Sequence, residues 1–337
     1  MTIEVLRPGL LSSLQDLGRY GYQRFGVVPD GAMDDESHRI ANFVVGNAAG
    51  EATLECTLQG PVLLFHAPAL IGIAGADMAP RIDGEPVPAG RPVMLRKGAR
   101  LEFGACRAGC RTYLAVGGGF RVPEVLGSRS TYLRGSMGGY LGRALRKGDH
   151  VEVGSGNTDW FPSLRDRLAQ SGRVFVAPKW GVSLLASALA RKPGVVRAMP
   201  GRDWALFSRE VQRIFGATEF QVALDSDRMG YRLECPDATA IHPKKQAEMI
   251  SEAISFGTIQ VPHDGRPIVL LADRQTTGGY PKIADVASVD LPVMAQLQPR
   301  NRLRFELIDL DSAQRLWLTR EQELTQIRQA VAFRKGL

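Results

Sequence analysis

The chain has 337 residues, 44% hydrophobic and 23% charged, an ordinary globular composition that excludes a disordered or fibrous chain. Its length exceeds what one hydrophobic core usually serves, so two domains are expected. The net charge of +7 is spread along the chain rather than clustered, which gives nucleic-acid binding little support.

An anionic small substrate or an acidic partner would equally suit this charge, and so would neither. Of the four cysteines, only Cys106 and Cys110 are close, without the spacing or neighbouring histidine of a zinc site, so reduced thiols are expected. The start carries no apolar signal segment and no apolar run reaches membrane-spanning length, which predicts a cytoplasmic chain with no membrane association.

In chain order, residues 3–6 read as a short strand broken by Pro8-Gly9, and the following stretch is too rich in glycine for a helix. Asp34 or Asp35 caps a helix carrying Ile40, Ala41, Phe43 and Val44 on one face and stopping at Gly46. His38 falls within it and reads as a structural histidine. Short strands follow at 62–65, 70–74, 93–96, 101–104, 112–116 and 150–153, separated by Gly, Pro and Asp turns; this spacing indicates a barrel or sandwich. Asp77 directly follows an apolar strand, and Gly117-Gly118-Gly119 reads as a close packing point.

Residues 155–159 are linker-like, 164–170 weakly helical, and 184–191 rich in alanine and small residues. A strand at 195–199 opens the second half, and Asp203 caps a helix bearing Trp204, Phe207, Val211 and Phe215 that Gly216 ends. Residues 220–224 alternate and lead into an acidic turn at 225–228. Residues 258–261 read as a half-buried strand, Asp264-Gly265 as a hairpin turn, and 268–272 as a central strand. A one-sided strand at 301–307 and an amphipathic helix from Asp311 to about Val331 close the chain. The shared plan of the two halves suggests a duplicated β-barrel.

Several catalytic machines are excluded, since G-x-x-x-x-G-K-[ST], H-E-x-x-H and G-x-S-x-G do not occur, no lysine is flanked by methionines as biotin attachment requires, and the five histidines show no metal spacing. What remains is polar. Asp225, Asp227 and Arg228 share one turn; Asp273, Gln275, Thr276, Thr277, Tyr280 and Lys282 share another loop. Opening at one barrel end, they would offer carboxylates for proton transfer and cations for an anion or oxyanion. A turn with local capping and an internal ion pair fits residues 225–228 as well.

Ser226-Asp-Arg-Met-Gly-Tyr-Arg-Leu233, Gly257-Thr-Ile-Gln-Val-Pro262 and Asp273-Arg-Gln-Thr-Thr-Gly-Gly-Tyr-Pro281 together resemble the biotin-dependent carboxyltransferase family, the allophanate hydrolase subunit 2-like group that includes the C subunit of bacterial 5-oxoprolinase. Ser13-Leu-Gln-Asp-Leu-Gly-Arg-Tyr-Gly-Tyr-Gln23, Gly31-Ala-Met-Asp34, Asn42-Phe-Val-Val-Gly-Asn47 and Gly127-Ser-Arg-Ser-Thr131 are similar to its N-terminal signature. Ala253 and Phe256 depart from the usual Gly and Pro, and Pro299-Arg300-Asn301 from the usual Pro-Gly-Asp.

The resemblance implies a mainly β protein with a few helices and two cyclophilin-like β-barrel domains, at 1–155 and 195–310, joined by a junction segment at 156–194 and followed by a C-terminal helix at 311–337. It implies an enzyme subunit, not active alone, acting in ATP-dependent opening of 5-oxoproline to glutamate. The alternatives are a urea carboxylase carboxyltransferase and a non-catalytic antagonist of a sporulation-kinase inhibitor. No cofactor is expected to be covalently bound; ATP or carboxybiotin would come through partners, a subunit 1-like protein and a lactam-hydrolase-like subunit. Asp225, Asp273 and Lys282 are the candidate catalytic residues. Asp227, Arg228, Gln275, Thr276, Thr277, Tyr280 and Asp77 are the candidates to bind a small amide substrate.

Overall fold

Glycine, proline and aspartate interrupt the first half every few residues, and the backbone responds with eleven short strands within residues 1–154. The computed structural model describes residues 1–154, 161–182, 194–235, 241–244 and 249–334. The segments read from sequence as linker (155–159) and as alanine-rich (184–191) lie outside the described residues.

The first elements are β1 (Thr2–Arg7), β2 (Leu11–Gln15), α1 (Asp35–Val44), β3 (Thr53–Thr57), β4 (Val62–Phe65) and β5 (Ala69–Asp77). Next come β6 (Arg81–Ile82), β7 (Glu85–Pro86), β8 (Pro92–Leu95), β9 (Arg100–Glu102), β10 (Ala108–Val116) and β11 (His150–Glu152). Beyond them lie α2 (Pro162–Ser171) and β12 (Phe175–Val176). They form two six-stranded sheets, β11-β1-β4-β9-β6-β7 and β12-β8-β5-β10-β3-β2. Ile3, Val5, Leu63 and Leu101 of one sheet meet Leu54, Ile71, Ile73 and Leu114 of the other in one buried core. The junction expected at 156–194 is partly structural, because β12 pairs with β8 and so extends the first half's sheet.

The second half contains β13 (Val195–Pro200), α3 (Arg209–Ala217), β14 (Phe220–Val222), β15 (Gly230–Glu234), β16 (Glu252–Ala253), β17 (Thr258–Gln260) and β18 (Ile268–Leu270). It continues with β19 (Thr277–Gly278), β20 (Lys282–Val286), α4 (Leu291–Ala295) and β21 (Arg302–Leu307). Seven of these strands close into a barrel in the order β13-β20-β17-β18-β15-β14-β21, the seam being the parallel pair β13–β21. Aromatic rings fill its base: Phe215 of α3 stacks on Phe305 with centroids 5.0 Å apart, and Phe220 packs against both. The chain is thus mainly β.

Two local expectations are corrected. The helix after β13 starts not at Asp203 but at Ser208, whose Oγ accepts from the Val211 amide at 3.2 Å. The Asp203 carboxylate is already engaged, accepting from the Lys282 amide at 3.0 Å, so a 3-10 turn (Trp204–Leu206) precedes α3 instead. Strand β17 is buried on both faces, because Thr258 donates to Asp285 at 2.7 Å and Gln260 lies beneath Gly278. Arg300, where the related pattern has Gly, takes φ of 71°, a left-handed conformation that glycine would adopt without steric cost.

The last helix, α5 (Leu310–Arg334), does not stand apart. It crosses back onto α1, where Leu324 and Val331 join Ile40, Phe43 and Val44 in a buried cluster over the outer face of the β5–β10 sheet. Two arginines pin the crossing: Arg39 to Glu321 at 2.8 Å and Arg320 to Asp35 at 3.2 Å.

His38 on α1 is fully buried, its Nε2–H donating to the Ala49 carbonyl at 3.0 Å and its Nδ1 lying 2.8 Å from Thr53 Oγ1. Burial pushes its pKa down from 6.5 to about 4, against the pull of Asp16 and other nearby acids. A folded pKa below the unfolded one means that the unfolded chain takes up the proton first as pH falls. Stability should therefore decline from about pH 6.5 to about pH 4, by roughly 3 kcal/mol from this residue. Urea unfolding across that range should show a shallower pH slope in His38→Gln than in the wild type; identical slopes would refute the assignment.

Candidate functional site

The turn after β14 and the loop after β18 both open at one side of the barrel, and a cavity of about 490 Å3 lies between them. Asp225 and Asp227 line it from the first turn, Gln275 and Tyr280 from the loop, and Arg134 from the other half of the chain. The cavity therefore sits where the two halves meet. Three of its exposed acids are paired within the chain: Asp225 with Arg232 at 3.1 Å, Asp264 with Arg266 at 2.9 Å and Asp227 with Arg134 at 3.3 Å. Solvent-exposed pairs of this kind contribute little to stability and remain available to a ligand.

Gln260 is different. It is 2% exposed and lines the cavity, and its Nε2 has no hydrogen-bond partner among the described residues. A buried amide N–H without an acceptor costs about 1–3 kcal/mol, so the fold holds this group at an energetic loss. Gly278 creates the room for it, since a Cβ there would stand 2.3 Å from Gln260 Nε2. Sequence pattern alone offers no sign of this residue beyond its place in the strand.

Behind the cavity lies a buried ionic cluster joining both halves. Arg228 is 4% exposed and donates to Asp273 at 2.8 and 3.1 Å, to Asp30 at 2.8 Å, to the Gly31 carbonyl at 2.7 Å, and to Glu55. Asp30 also receives Arg19 at 3.2 Å. Burial first, then the neighbouring Asp273, pushes the Asp30 pKa well above the usual carboxylate range. For Asp273 burial acts upward too, but Arg228 and the hydrogen bond from Asp30 outweigh it and hold its pKa down. The two carboxyls are thus pushed in opposite directions, Asp30 up and Asp273 down. Tyr132 lies within their field, its hydroxyl pKa raised by burial and then by Asp273 and Asp30.

A second set of contacts completes the joint. The Gln296 side chain accepts from the Cys110 and Arg111 amides at 2.9 and 3.0 Å and donates to Asp34 at 2.7 Å and the Arg111 carbonyl at 2.9 Å. Arg111 donates to the Tyr231 hydroxyl at 2.7 Å and the Ala295 carbonyl at 2.6 Å. Asp30, Glu55, Arg111 and Gln296 carry no recognisable spacing in sequence; only folding reveals them.

The residues singled out from sequence are thereby sorted. Asp225, Asp227, Gln275 and Tyr280 line the cavity. Asp273 and Arg228 neutralise each other beneath it, so Asp273 has its oxygens engaged as acceptors and Arg228 is not free to hold a substrate anion. Lys282 lies opposite Gln260 in the β17–β20 register, but its ammonium is buried 3.5 Å from Glu252 and 3.7 Å from Asp203. Thr277 belongs to the short β16–β19 pair, and the Thr276 carbonyl accepts from the Ile254 amide; neither threonine lines the cavity. Asp77 ends β5 in the first half and caps its own turn, accepting from the Ala79 amide at 2.8 Å.

A closed barrel thus carries, at its junction to a second β unit, a cleft lined by amide, carboxylate and guanidinium groups. The chain belongs to the carboxyltransferase domain family, subdomains A and B, which matches residues 25–307. It is 36% identical over 98% of both chains to the 5-oxoprolinase C subunit of Haemophilus influenzae. It is 34% identical to the 5-oxoprolinase C subunit of Escherichia coli, over 92% of this chain and 93% of that one. Its fold matches the solved structure of the Kluyveromyces lactis urea amidolyase with a TM-score of 0.81 and 30% identity, covering 97% of this chain and 20% of that much longer one. These relatives are enzymes or components of enzymes. No described helix is long and apolar enough to cross a membrane.

Two substitutions separate the joint from the cavity. Arg228→Ala leaves Asp30, Glu55 and Asp273 facing one another without their shared cation, and should destabilise the chain by about 3–5 kcal/mol in urea unfolding. That loss should grow as pH rises above 4, because carboxyls stranded in the folded state then hold protons that the unfolded chain releases. A change within about 0.5 kcal/mol would show the cluster to be energetically neutral. Gly278→Ala should move only the flexible end of Gln260, shifting stability by less than about 1 kcal/mol while altering whatever the cavity binds; a large loss of stability would place the constraint in the backbone.

Proposed function

We propose that the chain is the amide-binding component of a multi-subunit, ATP-dependent 5-oxoprolinase, opening 5-oxoproline to glutamate together with a subunit 1-like partner and a lactam-hydrolase-like subunit. The observation that carries this reading is the near-complete match, in both directions, to the C subunit of a 5-oxoprolinase.

The site's chemistry supports it. A lactam presents a carbonyl oxygen and an N–H side by side and, in 5-oxoproline, a carboxylate. Gln260 Nε2 offers the donor that a carbonyl oxygen requires. Asp225 and Asp227 offer acceptors for the N–H, and Arg134 and Arg232 offer charge to a carboxylate. ATP binding falls to a partner, since this chain has no glycine-rich phosphate cradle.

The match to a urea amidolyase favours a second reading, in which the same cleft receives urea and carboxybiotin and the chain transfers carboxylate between them. Gln260 fits this group too, because the ureido oxygen of biotin needs the same donor. Bound there, carboxybiotin would supply the carboxyl group; this chain's residues would hold and orient the two ureas.

Reconstitution with both partner subunits, ATP and 5-oxoproline should yield glutamate, and Gln260→Ala should lower kcat/KM about 100-fold. Urea carboxylation with supplied carboxybiotin, in the absence of glutamate formation, would reverse the order of the two readings.

A further inference from the structure

We propose that Glu4, His66 and His150 form a divalent-metal site, selective for zinc-like ions, on the outer face of the first half's sheet. The three residues are far apart in sequence, and strand pairing brings them together. Glu4 of β1 lies directly opposite His150 of β11. In the β1–β4 pair Ile3 faces Phe65 and Glu4 faces Leu64, which places His66, just past β4, diagonally across from Glu4 on the same face. Alternation along β1 turns Ile3 and Val5 into the core and Glu4 outward, so all three side chains stand on one exposed surface over a rigid base.

The ligand atoms lie within 4.8 Å of one another. His66 Nε2 is 3.0 Å and His150 Nε2 3.8 Å from Glu4 Oε2, and the two imidazole rings are parallel, 5.9 Å apart. Ligands around a tetrahedral ion with bonds of about 2.1 Å stand about 3.4 Å apart, so the present separations bracket what an ion needs. Two histidines and one carboxylate with an open fourth position suit Zn2+ better than the all-oxygen ions Ca2+ or Mg2+. Side-chain exposure of 40%, 27% and 56% for His66, Glu4 and His150 leaves a path for the ion.

The hydrogen bonding of His150 supplies a further reason. Its Nδ1 lies 3.0 Å from the Gly148 carbonyl, which can only accept, so the proton is on Nδ1. Backbone-anchored histidines of this kind are the usual metal ligands, since the carbonyl fixes the tautomer. In the neutral ring Nε2 then points a lone pair at the Glu4 carboxylate, an unfavourable pairing until a cation sits between them. The ion would tie β1 to both neighbours and hold the Gly148 turn against the sheet.

Full-length chain, stripped with a chelator and dialysed, can be titrated with zinc chloride by calorimetry. One ion per chain is expected, with His66→Ala and His150→Ala each weakening affinity about tenfold or more, and Glu4→Gln also weakening it. His263→Ala, on the other half of the chain, should bind as the wild type does. Zinc should raise the unfolding temperature of the wild type and leave that of the His66→Ala/His150→Ala double variant unmoved, and circular dichroism of the double variant checks that it folds. Absence of saturable zinc uptake by the wild type, or uptake undiminished in the folded double variant, would overturn the proposal.

Discussion

One guanidinium holds this protein together at its middle. Arg228 projects from the barrel into the other half of the chain and is met there by Asp30 and Glu55, and by Asp273 from its own barrel. Charges buried to this extent are tolerated only when every one has partners of opposite sign and satisfied hydrogen bonds. Arg19 and Arg111 complete the balance from the first half, approaching Asp30 and Glu55. Because the acids and bases come from both halves, neither half can bury its charges without the other. The relative position of the two β units, and hence the cleft between them, follows from that requirement.

The cleft inherits its character from this arrangement. Asp273 and Arg228 do not line it and are satisfied by each other, so recognition falls to the groups that do line it. Among these, Gln260 stands out because it is buried and yet lacks a partner for its Nε2 among the described residues. Gly278 keeps that amide in place by having no side chain. An unsatisfied donor beside exposed carboxylates and guanidiniums is what a small amide or ureido group would complement. Asp30 and Asp273 are pushed in opposite directions within the joint, and their charges raise the Tyr132 hydroxyl in turn.

Much of the local architecture was legible in the residues. Strands β4 and β8 to β11 fall where alternation and turn residues place them, and Asp34 caps α1 by accepting from Ser37. The polar loop after β18 and the acidic turn after β14 do converge on one cavity. Individual roles within those motifs were less legible. Asp225 and Asp273 are both acids at strand ends, but one is exposed and paired with a neighbouring arginine while the other is sealed under a guanidinium. Nothing in their immediate sequence distinguishes them, because burial is decided by what packs above.

Sequence by itself determined the mainly β character and many of the turns, since periodicity and turn chemistry act over a few residues and survive in any tertiary setting, while its motifs carried the resemblance to the family. Tertiary structure alone decided which distant groups meet: Asp30 with Asp273, Gln296 with Arg111, and Glu4 with His66 and His150. It also decided that α5 returns to α1 and that the junction lends a strand to the first sheet. The reason is physical: pairing across strands and domains depends on register and closure, which repeat patterns along the chain do not encode, and a charge's pKa and availability depend on neighbours brought in from elsewhere.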